Sequence, residues 1–144
     1  MPFISVTRLR LRSIRYLPSF AVYTLRSLGQ VKWSPGFQSG NLLLDQSWTF
    51  WTMTAWDSEE SMRGYMTSGP HKAAMPKLLD WCDEASVVHW FQEETVLPAW
   101  TEADRRMRAS GRASKVRNPS PQHASLSYRP PRAKGGGPIH RVSA

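Results

Sequence analysis

The stretch Ser47-Trp48-Thr49-Phe50-Trp51-Thr52-Met53-Thr54-Ala55-Trp56-Asp57 decides the fold. It holds three Trp, one Phe and one Met within eleven residues. Thr and aromatic residues suit a strand, and successive side chains of a strand point to opposite faces of the sheet. Trp48, Phe50 and Trp56 fall on one face in this phase, and Trp51 and Met53 on the other. A strand that is apolar on both faces must be covered on both. Helices of a short chain can cover one face. The remaining sequence offers no obvious second layer, so the other face predicts a partner subunit.

The neighbouring segments supply the rest of a sheet. Residues 2–11 read as a strand, with Phe3, Ile4, Val6 and Thr7 as β-formers. Pro18 suits the first turn of a helix, and Ala21, Leu25 and Leu28 continue it at helical spacing over about 18–31. Ser34-Pro35-Gly36 ends that helix, and residues 37–45 form a second strand. Asp45-Gln46-Ser47 turns into the Trp-rich strand, 47–56. Asp57 and Glu60 have capping-box spacing for a second helix, with Met62, Tyr65 and Met66 inward. Gly69-Pro70 interrupts it, and His71, Ala74, Met75, Leu78, Leu79 and Cys82 resume the stripe. Pro76 predicts a kink or restart there. Residues 85–92 form a fourth strand, apolar on both faces.

The order β-α-β-β-α-β is the ferredoxin-like arrangement, so the fold class is α+β. Thr101 then caps a short helix over about 102–109. Residues 1–111 form the domain. Residues 112–144 are rich in Pro, Gly, Ser and Arg and predict a disordered basic tail.

Charge supports that division. The chain has 144 residues and a formal charge of +8. Residues 1–100 carry nine Lys/Arg and nine Asp/Glu, whereas 101–144 carry ten and two. A neutral body argues against a nucleic-acid-binding core. The tail has only Tyr128 for base stacking, so nucleic acid is not an expected partner. Arg8, Arg10, Arg12 and Arg15 read as a solvated sheet edge. One cysteine, Cys82, excludes an intramolecular disulfide, and its surroundings lack zinc-ligand spacing. No run of about 18 apolar residues exists to span a membrane. Phe3 to Thr7 reads as a strand and not as a leader, and a cytoplasmic location is expected.

Three stretches carry a resemblance: Phe3-Ile4-Ser5-Val6-Thr7-Arg8-Leu9, Trp33-Ser34-Pro35-Gly36-Phe37, and Trp51 to Ser58 continued by Ser68-Gly69-Pro70-His71-Lys72-Ala73-Ala74-Met75. Over roughly residues 2–92 the pattern resembles the dimeric α+β barrel superfamily, in a branch without an assigned reaction. That superfamily includes the antibiotic-biosynthesis monooxygenases and the haem-degrading monooxygenases. The resemblance implies a homodimer whose sheets pack face to face into a barrel, with a ligand cleft between sheet and helices in each subunit. The antibiotic-biosynthesis members oxygenate electron-rich phenols without metal or flavin, so no cofactor is expected. The haem-degrading members place an Asn, a Trp and a haem-ligating His where this chain has Thr7, Tyr65 and Met75. Haem is therefore the alternative cofactor, through Met75 or through His71 one turn before it.

The cleft then names the candidate residues for a small aromatic or polycyclic ligand. His71 is the candidate base or hydrogen-bond partner, because imidazole titrates near neutral pH. Tyr65 and Thr7 are the polar anchors for a developing oxyanion. Trp51, Trp56 and Trp33 are the apolar walls, and Trp33 and Phe37 form a lid at the cleft mouth. A different class of function is a non-catalytic dimer whose cleft is filled by its own side chains.

Overall fold

The computed structural model describes residues 1–142. Its centre is the Trp-rich strand, β3 (Thr49–Trp56), which pairs antiparallel with β1 (Phe3–Leu11) on one side and β2 (Phe37–Asp45) on the other. β4 (Cys82–Phe91) pairs with the free side of β1. The four strands lie in the order β4-β1-β3-β2, as expected for the ferredoxin-like arrangement. The hairpin turn carries Ser47 and Trp48 in the left-handed region, with φ of 58° and 54°. β3 therefore starts at Thr49, and Trp48 stands half-exposed in the turn and not on the sheet face where alternation would place it.

One face of the sheet is covered by α1 (Leu17–Lys32), α2 (Glu59–Met66) and α3 (Gly69–Trp81). A single 3-10 turn, Ile14–Tyr16, leads into α1. Gly36 closes the turn after α1 at φ +83°, and a Cβ there would collide with the Asp57 carboxylate and Ser61. Ser58, not Asp57, caps α2: its hydroxyl accepts from the Ser61 N–H at 3.1 Å. Gly69, at φ +56°, separates α2 from α3 where Gly69-Pro70 predicts the interruption. Pro76 does not break α3. Pro76 and Lys72 are both exposed, so water can solvate the carbonyl that the missing N–H leaves free.

The second face overturns the argument for a partner subunit. The chain itself covers this face with α4 (Trp100–Ser110) and the segment that follows. Ile4, Val6, Trp51, Met53 and Ala55 are fully buried, packed with Ala103 and Met107 of α4 and with Tyr128. Trp51 meets Trp100 and Tyr128 edge-on, at centroid distances of 6.1 and 5.8 Å. Burial of a large side chain contributes roughly 1.5–3 kcal/mol, so Met107 and Tyr128 alone hold this layer firmly. α4 starts at Trp100 after Ala99, without the side-chain cap assigned to Thr101.

The expectation of disorder over 112–144 fails for 112–142, and residues 143–144 lie outside the described residues. β5 (Arg112–Ala113) extends the β4 edge and β6 (Gly135–His140) extends the β2 edge, giving a six-stranded sheet. Ile139 is buried beside Val31, Phe37 and Trp56. Gly136 lies so close to β2 that a Cβ would strike the Leu42 carbonyl oxygen. Low hydrophobicity misled because this segment is anchored by a few large side chains and by edge hydrogen bonds, not by a stripe.

Ionic bonds fasten the same layer. Arg8, expected on a solvated edge, is buried; its Nη1 lies 2.6 Å from Glu84 Oε1. Arg10 Nη1 and the Ser120 hydroxyl both donate to Glu84 Oε2, at 2.9 and 2.7 Å. The Arg8 guanidinium stacks 3.8 Å from the Tyr128 ring centroid, and the Tyr128 hydroxyl donates to Asp104 at 2.7 Å. Burial opposes ionisation of Glu84, but the hydrogen bonds from Ser120, Arg8 and Arg10 outweigh it and hold the carboxyl below its ordinary range.

Candidate functional site

Between the sheet and α1, α2 and α3 lies a cavity of about 660 Å³. The packed helices do not close onto the sheet floor, and mostly apolar side chains line the space. Phe20 and Leu28 of α1, Leu42 of β2, Phe50 of β3 and Leu78 of α3 form its walls. Leu25 and Met75 also line it, yet are 68% and 43% exposed, so they stand at its mouth between α1 and α3.

The floor is polar. Ser5 pairs with Thr54 and Thr7 pairs with Thr52 across β1 and β3, and all four line the cavity. Alternation explains this: even positions of β3 face the helices, so Thr52 and Thr54 join Phe50 there. Thr54 Oγ1 already accepts from Trp56 Nε1 at 2.9 Å. Four hydroxyls in a square offer a ligand both donors and acceptors.

His71 enters from the start of α3. Its backbone N–H donates to Gln30 Oε1 at 2.8 Å, which ties α3 to α1. Its Nδ1 lies 3.2 Å from the Met66 carbonyl oxygen. A carbonyl only accepts, so Nδ1 carries the proton and Nε2 keeps its lone pair. Burial pushes the imidazole pKa below its ordinary value, against the opposing effect of the Met66 bond. His71 is thus a neutral base at neutral pH. The Tyr65 ring lies 4.7 Å from the imidazole, and its hydroxyl donates to the Ser27 carbonyl at a long 3.4 Å. Burial pushes the Tyr65 phenol far up, so it acts as a donor and not as a phenolate.

The structure gathers some of the sequence-predicted residues and disperses others. His71, Tyr65, Thr7 and Met75 all line the cavity. Trp51 touches it, but its indole belongs to the other face, where Nε1 donates to Asp45 at 2.9 Å. Trp56 is buried behind Tyr65, at 5.4 Å between rings, and packs on Phe37. Phe37 is fully buried in that core, and Trp33 is 66% exposed on the outside, so the two do not form a lid. None of Trp56, Phe37 and Trp33 lines the cavity. His89 lies on the helix side beside Phe3, away from the face expected for a dimer. Cys82 is buried, and burial pushes its thiol up to about 12, which leaves it inert.

Sequence reasoning missed the walls from α1, the Thr52 and Thr54 floor, and Lys115 and Ile139 from the C-terminal segment. The threonines were legible by alternation. Lys115 and Ile139 gave no signal, since their segment reads as unstructured.

Haem matches the donor set poorly. His71 Nε2 could ligate iron, but Lys115 is the only formally charged residue lining the cavity among the described residues, and two propionates need more. No cluster of three metal-ligating side chains occurs among the described residues. No helix there is long and apolar enough to cross a membrane.

These features define an α+β protein of the ferredoxin-like, antibiotic-biosynthesis-monooxygenase-like fold. The chain belongs to the family described as a domain of unknown function, DUF3291, whose model matches residues 30–118. A search of the curated proteins by sequence gives no match. Among solved structures, a putative antibiotic biosynthesis monooxygenase from Nitrosomonas europaea is similar, with a TM-score of 0.59 and 12% identity. The similarity covers 67% of this chain and 94% of that one. A protein from Mycobacterium tuberculosis matches with a TM-score of 0.59 at 10% identity, covering 67% and 100%. A cofactor-independent oxygenase from Streptomyces nogalater, solved as a variant, matches with a TM-score of 0.53 at 15% identity, covering 67% and 98%. At such identities the likeness establishes the fold and not the chemistry.

Proposed function

We propose that this protein binds a small aromatic or polycyclic molecule in the cavity between sheet and helices and oxygenates it without a cofactor. One observation carries the reading: an apolar cavity of about 660 Å³ with the unprotonated Nε2 of a neutral histidine at its wall. A cavity of this size is ligand-sized, and it speaks against a cleft filled by the protein's own side chains.

The chemistry follows from the groups present. His71 Nε2 takes a proton from an acidic phenol or an activated ring CH₂. Thr7 holds the resulting oxyanion by a hydrogen bond, and Tyr65 joins it by turning its single O–H away from the Ser27 carbonyl, a bond of only 3.4 Å. The electron-rich anion reacts with dioxygen, and the CH₂ becomes a carbonyl. One oxygen atom enters the product and the other leaves as water, so the substrate supplies the reducing electrons. The Streptomyces nogalater protein of similar fold is a cofactor-independent oxygenase, which supports this reaction class. A cytoplasmic setting fits the single buried cysteine, and the charge-balanced body supports no nucleic-acid partner. The homodimer that the resemblance implies loses the support of a bare second face, since that face is covered in cis.

Native mass spectrometry of protein from its own host, with an absorption spectrum of the same sample, tests the reading. The expected result is a bound organic molecule of a few hundred daltons, released when Ala74→Trp fills the cavity. Added haem mass with a Soret band overturns it.

A further inference from the structure

The cavity has one charged residue at its rim, and its position specifies the ligand further. We infer that the ligand carries a single anionic group, a monocarboxylate or an ionised acidic phenol, and that Lys115 at the far end of the cavity holds it. The inference rests on the ligand-binding reading above. Lys115 lines the cavity and is exposed, so the residue lies where the cavity meets solvent. No Asp or Glu lines the cavity among the described residues. An anion there meets one cation and no competing carboxylate.

The surroundings leave Lys115 free for this role. The Ser114 N–H donates to the Ala85 carbonyl at 2.8 Å, which pins the segment to the edge of β4. Arg117 serves the end of α3: its N–H donates to the Leu79 carbonyl at 3.0 Å and its guanidinium pairs with Asp80 at 2.6 Å. Lys115 makes no ion pair among the described residues. Leu79 and His71 lie eight residues apart on α3, so the two ends of the cavity are separated by about 12 Å. A ligand anchored at Lys115 spans that length with apolar rings over the threonine floor and presents its other end to His71.

Two fluorescent probes with the same ring body separate the possibilities: 1-anilinonaphthalene-8-sulfonate, which is anionic, and N-phenyl-1-naphthylamine, which is neutral. Lys115→Glu is expected to weaken the sulfonate roughly three- to tenfold and to leave the neutral probe unchanged, the scale of one exposed ion pair removed and reversed. Added salt is expected to weaken the sulfonate in the native protein only. Equal behaviour of both probes in both proteins overturns the role of Lys115 and leaves the cavity reading standing. A sulfonate that fails where the neutral probe binds overturns the role of Lys115 alone, whereas failure of both probes to bind, or binding that survives Ala74→Trp, overturns both.

A separate observation concerns assembly. The structure assigns the C-terminal segment, residues 97–142, the place of a second subunit, so the protein is a self-capped monomer. The solved chains above are covered 94–100% while a third of this chain finds no counterpart in them. Here α4 and Tyr128 close the second sheet face, β6 runs along the β2 edge, and β5 covers the β4 edge at Ser86 and Val87. The face through which two such sheets would pack is closed, and β6 lines the β2 edge over Ser39 to Leu44. Native mass spectrometry with hydrogen exchange on the full chain decides it. A single-chain mass with protected amides in β6 is the expected result. A stable dimer, or exchange over 135–140 at the rate of an unstructured peptide, overturns it.

Discussion

The two faces of one sheet behave oppositely. On the helix side, α1 and α3 stand off the strands and leave a cavity floored by Ser5, Thr7, Thr52 and Thr54. On the other side, Trp51, Met53 and Ala55 have no exposed surface, and a buried ion pair lies among them. The alternating side chains of β3 produce both, since the odd positions include Trp51, Met53 and Ala55 and the even positions include two threonines. Close packing on one face supplies the rigidity that lets the other keep empty space. Space lined by unpacked groups costs stability, and a protein retains it where something binds.

If the capped face bears the stability, its variants must be the most damaging. Trp51→Ala is expected to cost about 3–5 kcal/mol in denaturant unfolding, because it empties the core and leaves Asp45 without its indole donor. Glu84→Gln breaks a buried pair and strands Arg8, at a similar cost of about 3–5 kcal/mol. The native Glu84 adds a pH signature. Its carboxyl is depressed on folding, so its contribution is complete above the ordinary carboxylate value and is lost as pH falls through the depressed value. Acid titration of the Glu84→Gln variant is expected to lack that loss. If both variants unfold like the native chain, the comparison of faces fails.

The cavity face should answer in function and not in stability. His71→Gln is expected to lower oxygenation about a hundredfold or more with a near-native midpoint of unfolding. Its titration is a sharper test. Burial lowers the His71 pKa, so the acid limb of the rate lies below 6.5, the ordinary histidine value, and vanishes in the variant. Folding stability gains from the same group as pH rises toward 6.5, because only the unfolded state takes up its proton near that value. Thr7→Val is expected to weaken ligand binding by about 1 kcal/mol, the worth of one hydrogen bond, measured by fluorescence titration. At the bottom of the scale, Leu25→Ser at the exposed mouth should change stability by less than about 0.5 kcal/mol while slowing ligand entry.

Much of this was legible in the chain. The four core strands, the helices between them and the break at Gly69 all follow from periodicity and turn residues, because each is a local preference. Phe50 and Trp56 do face the helices, and Trp51 and Met53 do face away. His71 and Tyr65 were readable because a polar group on an apolar helical stripe is conspicuous. What misled was the use of composition as a guide to order. Between Arg112 and Val142 the large anchors are few, chiefly Leu126, Tyr128 and Ile139, and no period relates them. Their partners are Trp51, Met107 and Trp56, distant in sequence. Trp33 misled in the other direction, as an aromatic beside a turn that stays largely exposed on the outside.

The sequence by itself determined the strand phases, which side chains of β3 share a face and the need to cover both faces, since alternation is a property of any extended chain. Only the tertiary structure decided what covers the second face. That depended on whether residues 97–142 could reach Trp51 and both sheet edges, and long-range contacts made by a few scattered side chains leave no local pattern to read. The cavity was decided there too, because its volume is the distance that α1 and α3 keep from four hydroxyls, and no sequence period encodes an empty space.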